Sequence, residues 1–197
     1  MKFSALFAGC LFAAVVATPA AAQKSVYTAV LNGSGEAPAN ASPGVGSAMV
    51  TIDSSLHTMR VQESFSGLLA GVTAAHIHCC TAVSDTGTAG VATATPTFTD
   101  FPSGVAAGTY DHTFDMTQAS SYNAAFITAS GGVNGAFGAL VAGLNGGSAY
   151  ANIHTSVFPS GEISGFLHAA PVPEPETYAM LLAGLAFISM AARRRRI

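Results

Sequence analysis

Alternation of apolar and polar residues runs through the middle of the chain and predicts β-strands. In the segment 56–65, every second residue from His57 to Phe65 falls on one face, and the residues between them fall on the other. Stretches rich in Gly, Pro, Asn and Ser separate the alternating segments and indicate turns. The predicted strands are 25–31, 46–52, 56–65, 72–78, 108–115, 148–154 and 161–167.

A different spacing between residues 117 and 143 predicts helices. The segment 117–128 has helical periodicity, with Asp115 or Thr117 as the residue that caps its first turn. A second helix is predicted at 135–143, and the segment 84–102 is predicted to be a long loop with one short strand. These elements predict a mainly β fold, either an antiparallel β-sandwich or an open barrel, with one or two helices inserted before the last hairpin.

The N-terminus is apolar without this alternation. After Lys2, the segment 3–17 is apolar apart from one serine, and small residues follow it. This pattern is typical of a secretory signal peptide, which we predict at residues 1–22. Signal peptidase is expected to cut at the small residues Ala20 and Ala22.

A second apolar segment lies at the C-terminus and ends in a cluster of positive charge. Residues 178–192 carry no charge and would form a helix about 22 Å long, shorter than the roughly 30 Å hydrocarbon core of a bilayer. We predict a transmembrane segment at about 178–192, with the basic cluster as a membrane stop on the cytoplasmic side. The cluster is Arg193, Arg194, Arg195 and Arg196.

The residues before this apolar segment indicate a more specific function for the C-terminus. They include Val172, Pro173, Glu174 and Pro175. Together with the apolar helix and the arginine cluster, they resemble the PEP-CTERM sorting signal of Gram-negative bacteria. The resemblance implies export, processing near the motif by a membrane enzyme of the exosortase class, and a link to biofilm-forming bacteria. The chain therefore divides into a signal peptide (1–22), a body (23–170) and a sorting signal (171–197).

The body is acidic and contains few cysteines. Two basic residues stand against eight acidic residues between positions 23 and 170, a formal net charge of −6. Such a surface repels phosphates, which excludes nucleic acid and anionic lipid as partners of the body. The cysteines of the body are the adjacent pair Cys79 and Cys80. Adjacent residues cannot close a long loop, so the domain depends on its core for stability.

Histidines in two predicted strands are candidate metal ligands. His76 and His78 are two residues apart and therefore share one face of their strand. Tyr150, Asn152 and His154 share a face in the same way. If the two strands are neighbours, three imidazoles meet, and such a set suits zinc or copper. The alternative is that these histidines only form hydrogen bonds with the backbone or with their neighbours.

Further ligands are available near these strands. Glu162 or one of the two cysteines is a possible fourth ligand, because carboxylates and thiolates both bind such metals. Cys79 and Cys80 also allow a vicinal disulfide, bonds between molecules, or a local structural role. The pattern alone does not choose between these uses.

Segments at both ends of the body resemble one known family. They are Tyr-Thr-Ala-Val-Leu-Asn-Gly-Ser-Gly-Glu-Ala-Pro at 27–38, Gly-Ser-Ala-Met-Val-Thr-Ile at 46–52, Ala-His-Ile-His at 75–78, and Tyr-Ala-Asn-Ile-His-Thr with Pro-Ser-Gly-Glu-Ile-Ser-Gly at 150–165. They look like a CHRD domain, the module named after chordin, over about 25–167. The resemblance implies an extracellular β-fold with no established catalytic activity.

Two functional classes follow from these observations. The first is a non-enzymatic surface or extracellular-matrix module that acts in biofilm or adhesion, with signal peptidase, an exosortase-type enzyme, the membrane and matrix polysaccharide or protein as partners. The alternative is a periplasmic or extracellular protein that binds copper or zinc. A third and more distant alternative is a superoxide-dismutase-like enzyme, but the acidic body would repel superoxide. No catalytic residue is assigned, because no nucleophile or acid–base arrangement stands out.

Overall fold

The computed structural model describes residues 24–171, 181–186 and 188–189. Predictions for the signal peptide, including Ala20 and Ala22, lie outside the described residues. The same is true of Val172 to Pro175 and of Arg193 to Arg196. In the described part, the strands are β1 (Lys24–Asn32), β2 (Val45–Asp53), β3 (Thr58–Ser66), β4 (Val72–His78), β5 (Gly108–Asp115), β6 (Tyr150–Thr155), β7 (Ile163–Phe166) and β8 (His168–Ala169).

The strands form one antiparallel sheet that curls strongly into a half-barrel. Its order is β4-β6-β7-β1-β2-β3-β5, and β8 also pairs with β1. The long strands β1, β2 and β3 follow one another along the chain and pair over nine residues at each step. The predicted mainly β fold is therefore confirmed, in its open-barrel form.

Alternation places one side of each strand in the core. Leu31, Val50, Met59 and Val61 are fully buried on the long strands, and Ile77 and Ile153 are fully buried at the other end of the sheet. The hydrophobic core is continuous between these two regions. Because Ile77 and Ile153 point into the core, their neighbours in β4 and β6 point to the opposite face.

The long loop after β4 runs along the free edge of that strand. Ala75 and Ile77 accept backbone hydrogen bonds through their carbonyl oxygens from Phe98 (3.0 Å) and Ala92 (2.9 Å) of this loop. The loop contains isolated bridges but no named strand, so the short strand predicted within 84–102 is wrong. The loop covers a sheet edge that would otherwise expose unpaired backbone groups.

Helices precede the last hairpin, as predicted, but the first begins later than its periodicity suggests. The helices are α1 (Ala124–Ala129) and α2 (Val133–Asn145), with short 3-10 turns at Gly33–Gly35 and Ala119–Ser121. Tyr122 is extended and buried, and its hydroxyl donates to the carbonyl of Met116 at 2.9 Å. Asn123, and neither Asp115 nor Thr117, caps α1 by accepting from the amide of Ala125. The core position of Tyr122 therefore interrupts the predicted helix.

The described part of the C-terminal segment is helical and apolar. Residues 181–186 and 188–189 are helical, and Leu181, Leu182, Leu185 and Ile188 are exposed. Among the described residues, no helix has both the length and the apolar character needed to cross a membrane. The transmembrane segment predicted at about 178–192 lies partly outside the described residues.

Candidate metal centre

Three histidines from two neighbouring strands converge on the face of the sheet opposite Ile77 and Ile153. One ring nitrogen from each of His76, His78 and His154 lies within 4.8 Å of one ring nitrogen of the other two. The ring centroids are 5.8 Å apart for His76 and His78, 5.3 Å for His76 and His154, and 6.0 Å for His78 and His154. The structure therefore brings together all three predicted histidine ligands.

Strand pairing explains this convergence. β4 and β6 are antiparallel neighbours, with His76 opposite Asn152 and His78 opposite Tyr150. His154 lies opposite Ala74, next to a register shift between Val72 and Ala74. Side chains on one face of adjacent strands are close enough to interact directly or diagonally. This pairing places His154 on the same side of the two strands as His76 and His78.

One nitrogen of each imidazole ring contacts a backbone carbonyl oxygen. Nε2 of His76 lies 2.7 Å from the carbonyl oxygen of Pro96, and Nδ1 of His78 lies 2.9 Å from that of Ala89. Nδ1 of His154 lies 2.9 Å from the carbonyl oxygen of Pro159. Because a carbonyl oxygen can only accept a hydrogen bond, the ring nitrogen that faces it carries the proton.

The other nitrogen of each ring has a lone pair and no hydrogen-bond partner within the described part of the chain. These atoms are Nδ1 of His76, Nε2 of His78 and Nε2 of His154, and all three are buried. Burial lowers the pKa of each ring, and it lowers that of His76 to about 4, with smaller contributions from the other two histidines. The three rings are therefore neutral at pH 7, which is the form that binds metals.

This arrangement has the properties of a histidine-rich transition-metal site. In metal sites, a ligating histidine commonly donates its second N–H to a carbonyl or carboxylate, which fixes the ring and its tautomer. Here all three rings have that second contact. Three neutral imidazoles suit zinc and copper, and a set of three protein ligands leaves a coordination position for water or a small ligand.

Glu162 forms its contacts away from the histidines. It is fully buried, and its carboxylate accepts hydrogen bonds from Ser42 (2.6 Å), the amide of Leu69 (2.7 Å) and Thr155 (2.6 Å). These bonds join the start of β7 to the end of β6 and to two loops. Glu162 is not in the group of side chains whose ligand atoms converge.

The two cysteines lie beside the site but outside the convergent group. Cys79 and Cys80 form a vicinal disulfide directly after His78. Cys79 is buried and Cys80 is exposed, and both sulfur atoms face Gly143 of α2. In this state the pair offers no thiolate, and its visible role is to contact the helix.

A small cavity next to His78 contains polar groups that the sequence analysis did not propose as ligands. It has a volume of about 200 Å³, and its lining includes Glu36, Tyr150, Asn152 and Ser164. Burial raises the pKa of Glu36 to about 7, opposed by hydrogen bonds from Ser164 and Asn152. Glu36 had two sequence signals, because it belongs to the CHRD-like segment 27–38 and no other charged residue lies between Lys24 and Asp53.

A family model described as a CHRD domain matches residues 27–167. The chain belongs to the CHRD-domain family. The match confirms the resemblance found in the sequence, and it places the three convergent histidines within the CHRD domain. No curated protein and no solved structure shows a significant match to the chain.

A second family model, the PEP-CTERM protein-sorting motif, matches residues 171–196. It confirms the sorting signal that was predicted from Val172 to Pro175, the apolar segment and the arginine cluster. Such a motif implies export, membrane anchoring during sorting, and processing by an exosortase-type enzyme before the protein reaches the surface. The CHRD domain lies directly before this motif in the chain.

Proposed function

We propose that this CHRD-domain protein binds one zinc or copper ion outside the cell through His76, His78 and His154, and that it acts by binding and not by catalysis. The observation that supports this function is the state of the six ring nitrogens. Three donate to carbonyl oxygens, and the other three are buried lone pairs without partners.

The burial of these three lone pairs favours a metal site over histidines with a purely structural role. Burying a polar atom without a partner costs free energy, typically about 1–3 kcal/mol for each atom. One such atom is not unusual in a protein of this size, but here three converge on one point. A single bound metal ion could satisfy all three, because it accepts three lone pairs at once.

Metal analysis of the purified full-length protein tests the proposal. After incubation with Zn²⁺ or Cu²⁺ and removal of the excess, we expect one ion per chain. His76→Ala, His78→Ala and His154→Ala should each weaken binding by at least about a hundredfold, because each removes one of three ligands. Mass spectrometry with inductively coupled plasma measures the stoichiometry, and competition with a chelator measures the affinity.

His112→Ala is the matched control. His112 lies on β5, at the opposite end of the sheet from β4. The His112→Ala variant should keep the full metal content, because the substitution removes an imidazole that is not part of the convergent group. Absence of stoichiometric metal in the native protein, or an equal loss in the control, would contradict the proposal.

The dismutase-like alternative predicts turnover as well as metal binding. The acidic body argues against it, because a negative surface repels superoxide and slows its approach. We therefore expect the copper-loaded protein to show no dismutase activity above that of free copper at equal concentration. Turnover that disappears in His76→Ala would instead favour an enzyme.

A role in matrix or adhesion is the second candidate. It is supported by the sorting motif and by a shallow groove of about 900 Å³ across β1, β2, β3 and β5, where Val30 and Met49 are exposed. Binding to isolated matrix polysaccharide should fall in a Val30→Ser/Met49→Ser double variant. Val157→Ser, which changes an exposed valine elsewhere, is the control. Equal retention of all three proteins would argue against this surface.

A further inference from the structure

The cavity beside His78 has a chemical character of its own. Its volume of about 200 Å³ is below the 300–1,000 Å³ that is common for pockets of drug-sized ligands. His78 lines it together with Glu36 and Asn152. His78 also belongs to the proposed metal centre, so this residue is common to the cavity and the centre.

Two of the hydrogen-bond acceptors that line this cavity are buried and lack a partner among the described residues. They are Oε1 of Glu36 and Oδ1 of Asn152. Only 3% of the surface of Asn152 is exposed. Its amide nitrogen donates to Oε2 of Glu36 at 3.4 Å, which engages one of its two N–H groups, whereas its amide oxygen has no partner among the described residues.

Backbone geometry keeps this space open. A Cβ atom at Gly161 would lie 2.5 Å from Oε2 of Glu36 and 2.6 Å from Nδ2 of Asn152. Gly161 also has φ of +133°, a conformation that other residues rarely adopt. The glycine between β6 and β7 therefore allows Glu36 and Asn152 to meet next to the histidine face.

Strand pairing gives Asn152 its place beside the histidines. Asn152 is the direct partner of His76 across β4 and β6, and it lies two residues before His154 on the same strand face. On its other side it pairs with Ser164 of β7, which also lines the cavity. A molecule in the cavity would thus lie against a row of polar side chains that leads to the histidine cluster.

These observations identify the kind of ligand that the cavity suits. Free acceptors require N–H or O–H groups, and a carboxyl group beside an amide oxygen disfavours an anion. We infer that the cavity binds a small, uncharged or cationic ligand that carries an N–H or O–H group and that occupies the open coordination position of the metal. This inference rests on the proposed metal centre and names the ligand class of that site.

Imidazole and 1-methylimidazole are suitable probes for the test. Both coordinate copper through one ring nitrogen, but only imidazole has an N–H group for the acceptors of Glu36 and Asn152. We expect the copper-loaded full-length protein to bind imidazole at least about tenfold more tightly than 1-methylimidazole. The shift of the visible copper absorption band on titration measures both affinities, with metal retention checked at each end point.

Two variants of Glu36 connect this preference to the cavity. Glu36→Met has similar length but no acceptor, and it should reduce the preference for imidazole to about twofold or less. Glu36→Gln keeps the shape and removes the charge, so it should bind azide, an anionic probe, more tightly than the native protein does. Both variants should retain the native copper affinity, because Glu36 is not a member of the convergent group.

The outcomes separate the two proposals. If the native protein binds no copper, the metal centre itself is wrong and the inference falls with it. If copper binds through the histidines but imidazole and 1-methylimidazole bind equally well, only the ligand inference is overturned. A preference for imidazole that persists in Glu36→Met would also overturn it, because the donor group would then be recognised elsewhere.

Discussion

Two buried glutamates of the domain differ in how their charge is accommodated. Glu162 is fully buried and accepts three hydrogen bonds from its neighbours. Glu63 lies in the core beside Tyr110, and neither of its carboxylate oxygens has a partner. Burial raises the pKa of Glu63 to about 8. Substitution should therefore affect the two positions in opposite ways.

Glu63 should make the domain less stable as the pH rises. Its pKa increases from 4.5 to about 8 on folding, so the folded domain binds a proton that the unfolded chain releases. The stability linked to this proton is complete below pH 4.5 and declines toward pH 8, by up to about 1.4 kcal/mol for each pH unit. The side chain of Glu63→Gln cannot ionise. Between pH 5 and pH 8, the free energy of unfolding of this variant should therefore fall by about 2–4 kcal/mol less than that of the native protein.

Urea denaturation of the native protein and of Glu63→Gln at both pH values measures this difference. The comparison is made between the two proteins because Glu36 and the histidines also titrate in this range. Parallel pH dependence in both proteins would show that Glu63 is already ionised in the folded state.

Glu162→Gln should destabilise the domain and leave metal binding intact. The amide keeps the shape of the side chain but replaces an acceptor with a donor among Ser42, Leu69 and Thr155. We expect a loss of about 2–4 kcal/mol in the free energy of unfolding, because hydrogen bonds to buried charged groups are strong. Metal content, measured on the folded variant, should equal that of the native protein. A lower content would instead identify Glu162 as an additional ligand.

At the level of elements, alternation predicted the strands well where one face is buried and the other is exposed. β4 and β5 have the predicted bounds, and β1, β2 and β3 differ from them by one or two residues. The helix at 117–128 failed because the burial of Tyr122, a tertiary contact, overrides local periodicity. The strand β8 was missed because it has only two residues and follows a break at Leu167.

The site was partly predictable for the same reason. Spacing by two residues was enough to place His76 and His78 on one face of their strand, and His154 on one face of its strand with Tyr150 and Asn152. The carbonyl oxygens that hold the rings come from loops, and loops have no periodicity from which such contacts can be read. Glu36 was missed because its position depends on a turn that folds back onto β6 and β7.

Two glycines of α2 provide a test of how this helix packs on the disulfide. A Cβ atom at Gly143 would collide with the sulfur atoms of Cys79 and Cys80, whereas one at Gly138 would meet nothing within 4 Å. Gly143→Ala should destabilise the domain by about 1–3 kcal/mol through overpacking. Gly138→Ala should stabilise it by up to about 1 kcal/mol, because alanine favours helix.

Thermal and urea denaturation under non-reducing conditions compare these two variants. The control is internal, since both substitutions add the same methyl group to the same helix. Similar effects of the two substitutions would show that α2 does not press against the disulfide in solution.

At the level of the whole molecule, the chain combines a folded CHRD domain with a C-terminal sorting motif. The CHRD domain contains the core, the histidine cluster and the cavity, whereas the sorting motif occupies residues 171–196. The residues that form the candidate site all lie within the CHRD domain, at 27–167. Removal of the tail should therefore leave the site unchanged.

Intact mass of the protein recovered from the cell surface should show processing at both ends. We expect loss of residues 1–22 and cleavage near Val172 to Pro175, which removes Arg193 to Arg196. Replacement of Pro173, Glu174 and Pro175 by alanine should leave the tail in place and keep the protein in the membrane. Recovery of the native protein with its arginine cluster intact would support a simple anchor instead.

The wide separation of the three histidines along the chain has a consequence for when metal is acquired. More than seventy residues lie between His78 and His154, and the carbonyl oxygens that orient their rings come from two further loops. The unfolded chain therefore has no preformed centre, and metal binding at the proposed centre would be linked to completed folding. In an exported protein, the occupancy of the proposed centre would then depend on the ions present where the domain completes its folding.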